Sequence, residues 1–314
     1  MLEGQKIFLT GAAGVIGTEL TPMLLSQGAQ VLAGDLKKRP EAFPDEVQYL
    51  QMDLNELELE ALRAFGPTII IHLAATFERS TESYGFWDEN FNHNVKLSHH
   101  IMSLARETPS LRRVVFASSY LIYDENLYQF ESPQVIPCRL NEQSPLNPRN
   151  LTGMAKLAHE KELTFLQGAP ECHFSTLSVR IFRGYGRNSR DIISRWIRSL
   201  LGGEAIEVFR PEGMFDYLFA ADSAKGLMLL ASRDDITGAI NLGTGRARSV
   251  SEVVNLLLEE FPDAEVIEQE SDILFEASEA DIASLEIQLS WKPEYTLETA
   301  IPLIIEHEKR RLIT

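Results

Sequence analysis

The chain has 314 residues, and its 46 Asp and Glu against 29 Lys and Arg give a formal net charge of −17 at pH 7. Contacts to a phosphate backbone need clustered Lys and Arg, so the balance argues against a nucleic-acid-binding protein. Hydrophobic residues at 44% and charged residues at 24% match ordinary globular chains and exclude disordered and fibrous classes, while the length suggests about two domains.

Cys138 and Cys172 are too few for a disulfide framework or a zinc site, which points to a reducing compartment. The first residues lack the basic-then-apolar order of a signal peptide, and no apolar run reaches the roughly 20 residues a membrane helix needs. A soluble, cytoplasmic protein without a membrane partner is expected.

In chain order, short Val- and Ile-rich runs alternate with stretches of helical spacing. They predict a strand at 6–10, a helix at 15–26, strands at 30–34 and 47–51, a helix at 57–65 and a strand at 68–73. A helix at 92–106, a strand at 113–118, a helix at 153–166 and a strand at 175–182 follow. Residues 125–148, with Pro133, Pro137, Pro145 and Pro148, read as one long loop near the site. Beyond residue 182 glycine-rich loops separate helical stretches at 190–201, 221–232 and 249–261, and the acidic segment 263–281 reads as a solvated face. The βαβα order predicts an α/β fold, a Rossmann-type doubly wound parallel sheet with a smaller C-terminal substrate domain. The expected domains are 1–182, with 215–243 partly returning to it, and 183–314, with the ligand in the crevice at the carboxyl ends of the strands.

The sharpest local signal is Thr10-Gly11-Ala12-Ala13-Gly14-Val15-Ile16-Gly17, between a predicted strand and a predicted helix. Glycines here permit a tight turn, close approach to a pyrophosphate and close helix–sheet packing, and the helix N-terminus presents N–H groups to phosphate. Asp35 ends the next strand, where a carboxylate accepts from the adenosine ribose hydroxyls and repels a 2′-phosphate. NAD is therefore expected over NADP, although Lys37, Lys38 and Arg39 just beyond carry the charge a 2′-phosphate would need.

With these residues in order, the sequence resembles the extended short-chain dehydrogenase/reductases, the NAD-dependent epimerase/dehydratases. The match continues through Asp53-Leu54, His72-Leu73-Ala74-Ala75, Asn94-Val95, Ser118-Ser119, Tyr123, Lys156 and Glu160. It runs on through Arg180-Ile181-Phe182, Tyr185-Gly186, Asp216, Asp222, Asn241-Leu242-Gly243-Thr244-Gly245 and Trp291-Lys292-Pro293. The resemblance implies that Gly11, Ala13, Gly14, Val15, Ile16, Gly17, Asp35, Asp53, Leu54, Leu73, Ala74, Ala75, Thr76 and Asn94 form the cofactor site, with Asp53 at the adenine. It also implies that Lys156 holds the nicotinamide ribose and that helices 92–106 and 153–166 build a homodimer interface. His72 reads as a core histidine at a strand end, and His93, His99 and His100 as packing or surface residues rather than metal ligands.

At the catalytic centre the pattern departs from the family. The resemblance implies a tyrosine four residues before Lys156, on the same helix face; the chain has Thr152 there. An aliphatic hydroxyl is a far weaker acid than a phenol, so Thr152 suits a relay rather than a free-standing base. Ser119 stands at the family's catalytic Ser/Thr position. Tyr120 and Leu121 stand where dehydratases carry an Asp-Glu pair, which disfavours dehydration and decarboxylation by those routes. Tyr120, Tyr123 and Tyr185 are candidate replacement phenols, packing being the commoner role for each.

Nucleotide-sugar relatives clamp a diphosphate with arginines. Phe215 occupies one such position, and Glu268-Gln269-Glu270-Ser271-Asp272 stands near the other. Arg183, Arg187, Arg190 and Arg195 offer a replacement anion site, with Ser119 and Tyr120 as further substrate contacts; surface ion pairing is the alternative for each arginine. The expected activity is that of an NAD-dependent epimerase/dehydratase-like enzyme, resembling the sugar epimerases, on a sugar or nucleotide-sugar, by reversible hydride transfer through a keto intermediate. Ser119, Thr152 and Lys156 are the expected catalytic residues. Two alternatives stay open: a reductase or dehydrogenase whose substrate carries no nucleotide, and a sensor or scaffold that keeps the cofactor fold without catalysis.

Overall fold

The computed structural model describes residues 2–77 and 83–313. From the N-terminus come β1 (Lys6–Thr10), α1 (Val15–Ser26), β2 (Gln30–Asp35), β3 (Gln48–Gln51), α2 (Leu59–Phe65) and β4 (Ile69–His72). Next are α3 (Phe86–Asn90), a π-helical stretch Phe91–Lys96, α4 (Leu97–Arg106), β5 (Arg113–Ser119), β6 (Gln129–Phe130), β7 (Cys138–Leu140), α5 (Leu151–Gly168), β8 (Ser175–Ile181) and β9 (Arg183–Tyr185). The chain continues with α6 (Ile192–Leu201), β10 (Ile206–Phe209), β11 (Met214–Phe215), β12 (Tyr217–Phe219), α7 (Ala220–Ala231), β13 (Gly238–Leu242) and β14 (Arg248–Ser249). It closes with α8 (Val250–Glu260), β15 (Val266–Gln269), β16 (Phe275–Glu276), β17 (Ser278–Ala280), α9 (Ala283–Leu289) and α10 (Leu297–Ile313).

The chain divides into two units that interleave in sequence. The first comprises Met1–Tyr123, Leu146–Arg180 and Ala224–Ile240, the second Asp124–Pro145, Ile181–Ser223 and Asn241–Thr314. Residues 124–145 lie with the second unit and 224–240 with the first. The return of 224–240 has an identifiable fastener. Buried Arg113 of β5 donates from Nη1 to Ile236 O (2.7 Å) and from Nη2 to Leu230 O (3.1 Å).

Among the described residues the main sheet has seven strands in the order β13-β8-β5-β4-β1-β2-β3, and the pairs β1–β2, β1–β4, β2–β3 and β4–β5 are parallel. The inner strands are apolar along their length because both faces are covered, as in a sheet wound on two sides. Phe8, Leu32, Ile70, Val114 and Phe116 of the sheet pack with Leu54, Leu62, Leu97, Ile101, Met102 and Leu104. Truncating one such side chain to Ala costs about 2–5 kcal/mol through lost burial and the cavity left behind. The strand order runs one way from β1 to β2 and the other way from β1 to β4, so the switch point lies between β1 and β4.

Three elements differ from the sequence-based expectation. The helix expected at 92–106 begins at Phe86 and passes through the π-helical stretch Phe91–Lys96, whose wider turn disrupts the 3.6-residue spacing. The loop expected at 125–148 contains β6 and β7, which pair with β16 and β17 in the second unit; strands this short give no alternation to read. The acidic segment 263–281 is not a solvated face throughout. It contributes β15 to β17, and Phe275, Glu276, Ala277, Ser278 and Ala280 are buried.

In the second unit Asp191 caps α6, and Ser249 with Glu252 forms a reciprocal capping box on α8. Asp216, fully buried, collects donors from distant segments: Thr244 N and Oγ1 on Oδ1, Gly245 N and Ala280 N on Oδ2. Among the described residues no helix is long and apolar enough to cross a membrane.

Candidate functional site

The glycine turn after β1 sits at the switch point of the sheet. Gly11 has φ +72°, and a Cβ there would lie 2.6 Å from Ala74 N, at the end of β4. A Cβ on Gly17 would lie 2.5 Å from the carbonyl oxygens of Gly11 and Ala12. Both positions therefore require glycine, one for the turn and one so that α1 can pack on it. Gly14 caps α1 without a side-chain hydrogen bond, and no acid stands in the first turn. That leaves the positive end of the helix available to an anion and fits the pyrophosphate of a dinucleotide.

Asp35 closes the far side of the turn. Its Oδ2 accepts from Ala13 N (2.9 Å) and its Oδ1 from Lys37 N (2.9 Å). Of the three cations that follow, Arg39 is committed elsewhere: it donates to Val47 O (2.7 Å), Phe43 O (3.2 Å) and Pro44 O (2.7 Å). Lys37 and Lys38 are exposed. Asp53 caps the short turn Leu54–Glu56 through Oδ1, and Leu54 is buried beneath Gly34 of β2. Val15 and Ile16 open α1, and the carbonyl carbon of Leu73 lies 2.9 Å from where a Gly11 Cβ would sit.

The segment after β4 is fixed from below and beside. Thr10 Oγ1 accepts from Ala74 N (3.2 Å) and is hydrogen-bonded to His72 Nδ1 at 2.6 Å. His72 is fully buried, bonds on its other side to Ser98 Oγ (3.0 Å), and has its pKa held well below the usual histidine value by burial. Thr76 N donates to Asn94 Oδ1 (2.8 Å), and Asn94 Nδ2 donates back to Thr76 O (2.8 Å). Ala75 is exposed between these anchors. Asn94 lies in the π-helical stretch, a feature that often marks functional positions.

Ser119 ends β5, where its Oγ accepts from Leu121 N (3.2 Å) and caps the turn Tyr120–Ile122. Helix α5 comes up against this turn at Gly153: a Cβ there would lie 2.5 Å from Leu121 O. Thr152 and Lys156, one helical turn apart, are both buried. Lys156 Nζ donates to Ala117 O (2.7 Å), two residues before Ser119, and lies 4.7 Å from the centroid of the Phe116 ring. Burial pulls its pKa down to about 8, with Glu160 opposing the shift.

Glu160, one turn further along α5, accepts from Ser118 Oγ (2.5 Å), Arg180 Nε (3.1 Å) and Arg180 Nη2 (2.8 Å). Arg180 also donates to the hydroxyl of Tyr123 (3.1 Å). Motif matching picks out Glu160, Arg180 and Tyr123 without showing that they form one buried network under the end of β5. His159 is a residue that sequence reasoning misses. It is buried edge-on against Phe116, and its Nδ1 meets Glu162 at 2.8 Å. A histidine within the Lys156–Glu160 turn is the only sequence cue to it.

The replacement phenols are packed away. Tyr120 and Tyr123 are buried, with Arg149 over the first ring and Arg180 over the second. Tyr185, in the second unit, is buried against Tyr217 and Phe219, and burial raises its pKa above the usual phenol value. Arg183, also in the second unit, lays its guanidinium 4.8 Å from the centroid of the Phe215 ring. Arg187 is half-buried, and Arg190 and Arg195 are exposed. Among the described residues no group of three or more His, Cys, Asp or Glu is arranged to hold a metal ion.

A glycine turn at the switch point, an acid at the end of β2 and a buried lysine beside the end of β5 define a Rossmann-type dinucleotide-binding protein. The sequence profile of the NAD dependent epimerase/dehydratase family matches residues 7–243, and the chain belongs to that family. Curated relatives include dTDP-L-rhamnose 4-epimerase of Burkholderia thailandensis, 21% identical, covering 96% of this chain and 94% of that one. A putative UDP-glucose 4-epimerase of Methanocaldococcus jannaschii is 24% identical, covering 96% and 98%. Among solved structures, MoeE5 in complex with UDP-glucose and NAD is similar with a TM-score of 0.84 and 28% identity, over 98% of this chain and 99% of that one. The glycine cradle and the open end of α1 fit NAD, the cofactor of the family.

Proposed function

We propose that this protein is an NAD-dependent enzyme that acts on a sugar or nucleotide-sugar by reversible oxidation of a secondary alcohol through a keto intermediate. The observation that carries the reading is Lys156, buried and bonded to Ala117 O two residues before Ser119, in the same unit as the glycine cradle. Gly14, with Ala13 beside it at the start of α1, lets the pyrophosphate approach the backbone, Gly11 and Gly17 hold the turn and its packing, and Asp35 takes the adenosine ribose. Bound NAD supplies the hydride acceptor and donor. Ser119 orients the substrate hydroxyl, Lys156 orients the nicotinamide ribose and supplies positive charge, and Thr152 relays the proton. Arg183, with Arg187 and Arg190, is the anion-binding set of the second unit. The names of the curated relatives, two sugar 4-epimerases, support the substrate class.

The test is mass spectrometry and absorbance of the purified, denatured protein. Retained NAD(H) together with a sugar nucleotide is the expected result, and absence of both defeats the reading. A second reading, a reductase or dehydrogenase acting on a carbonyl compound without a nucleotide, draws on the Phe215 ring, which offers no charge at a position the family fills with arginine. Turnover of NADH with simple carbonyl compounds and none with UDP- or dTDP-sugars would favour it.

The oligomer proposed is a homodimer through α4 and α5 and the π-helical stretch before α4. Phe91, Met154 and Phe165 on these helices are 54%, 45% and 81% exposed, apolar surface that a second copy would cover.

A further inference from the structure

The threonine at position 152 leaves the reaction without its phenol, and the tyrosines nearest in sequence are held in packing. What remains beside the end of β5 is an amine in an unusual state. Lys156 is 8% exposed and, among the described residues, makes no salt bridge. Its nearest carboxylate in sequence, Glu160, is already neutralised by the two-pronged bond from Arg180 and by Ser118. The other titratable groups facing it are His159 on its own helix and His72 on β4, both held towards the neutral form by burial. Tyr123, across Arg180, has its hydroxyl occupied. A buried ammonium without an ion-pair partner of its own loses its proton easily, Glu160 opposing this only in part, and lysines in such sites act as bases.

We propose that Lys156 is itself the acid–base group of this enzyme, exchanging the proton with the substrate hydroxyl through the hydroxyl of Thr152. On oxidation the substrate O–H bond breaks and its proton passes to Thr152 Oγ1. The proton of Thr152 passes in turn to the neutral amine of Lys156, which becomes ammonium, and the C–H electron pair leaves as hydride to the oxidised nicotinamide. The return of hydride reverses each transfer, so no proton is gained or lost over an epimerisation. Thr152 and Lys156, one turn apart on α5, lie on the same helix face. The inference rests on the reading above and moves the base from the residue four before the lysine to the lysine.

The experiment has a part that needs no turnover. Selective 15N or 13C labelling of lysine, with Lys156→Arg assigning the signal, follows the amine of the cofactor-free protein as a function of pH. A midpoint near 8 is expected; a group still fully charged at pH 10 overturns the proposal. In the loaded enzyme kcat should rise through the same range, Thr152→Val should lower kcat at least tenfold at little change in KM, and Thr152→Ser should restore most of it. Lys156→Arg keeps the charge but stays protonated and cannot accept the proton, so it should bind NAD and lose turnover at least 100-fold. Adding Thr152→Tyr to it should recover activity by supplying a phenol. An active Lys156→Arg enzyme, or a Thr152→Val enzyme with unchanged kcat, overturns the inference while leaving the NAD-dependent reading intact. A wild type that binds no NAD defeats that reading, and the proposal with it.

Discussion

Asn94 and Thr76 are joined by two hydrogen bonds of 2.8 Å, one in each direction between the asparagine amide and the threonine main chain. The pairing ties the segment after β4 to the π-helical stretch, and the same Nδ2 also donates to Asn90 Oδ1. Each neutral hydrogen bond contributes about 1 kcal/mol, and a buried group left unpaired costs about 1–3 kcal/mol. Asn94→Ala should therefore weaken NAD binding about tenfold and lower the Tm by a few degrees. Isothermal titration checks this, and wild-type affinity in the variant would show that Thr76 needs no such anchor.

Asp35 should set the choice between NAD and NADP. With Arg39 committed to the carbonyls of residues 43, 44 and 47, only Lys37 and Lys38 remain to meet a 2′-phosphate. Asp35→Ser should weaken NAD at least tenfold and allow measurable NADP binding. The check is a fluorescence titration with each reduced cofactor, and a variant that still excludes NADP counts against a ribose contact at Asp35.

The Glu160–Arg180 pair should behave as a buried ion pair. Removing one partner leaves the other charged and uncompensated, at a cost of about 3–5 kcal/mol. Glu160→Gln and Arg180→Met should each lower the urea midpoint strongly, and the double variant should be milder than the two effects added. Strict additivity in denaturation curves would mean that the residues do not act as a pair.

Acid should destabilise the first unit before its carboxylates titrate. His72 and His159 are buried and neutral, with folded pKa values below the unfolded value of about 6.5. Below pH 6.5 the unfolded chain binds protons that the folded chain refuses, so stability falls as pH drops, by up to about 1.4 kcal/mol per pH unit for each histidine. Urea unfolding between pH 7 and pH 5 measures the slope, and His159→Gln should reduce it.

Two exposed apolar side chains test the dimer. Phe165→Glu with Met154→Glu should release protomers of 35.4 kDa in sedimentation velocity without loss of fold. Wild-type protein that already sediments at that mass refutes the interface.

The fold was largely readable because its signals are local: uninterrupted apolar strands, and glycines whose missing Cβ atoms the turn requires. Gly11 to Gly17 and Asp35 stand out as candidates for the same reason, since they are spaced by one strand–helix–strand unit. The Lys156 environment was not readable, because the neutralisation of Glu160 depends on Arg180, twenty residues away on another element. The short strands β6 and β7 were hidden too. Their partners, β16 and β17, come more than a hundred residues later, and strands of two and three residues leave no periodicity.

Asp216 has a further consequence for how the chain is made. Its buried carboxylate is satisfied by residues 244, 245 and 280, and the buried Asp222 by the main-chain N–H groups of Glu294 and Tyr295. Until those residues have left the ribosome, both acids face a choice between hydration and an unsatisfied charge in an apolar interior. The second unit therefore cannot close during synthesis of its first half. It waits for residues 280 to 295, so a nascent polypeptide halted before residue 280 would leave the Asp216 carboxylate short of a donor.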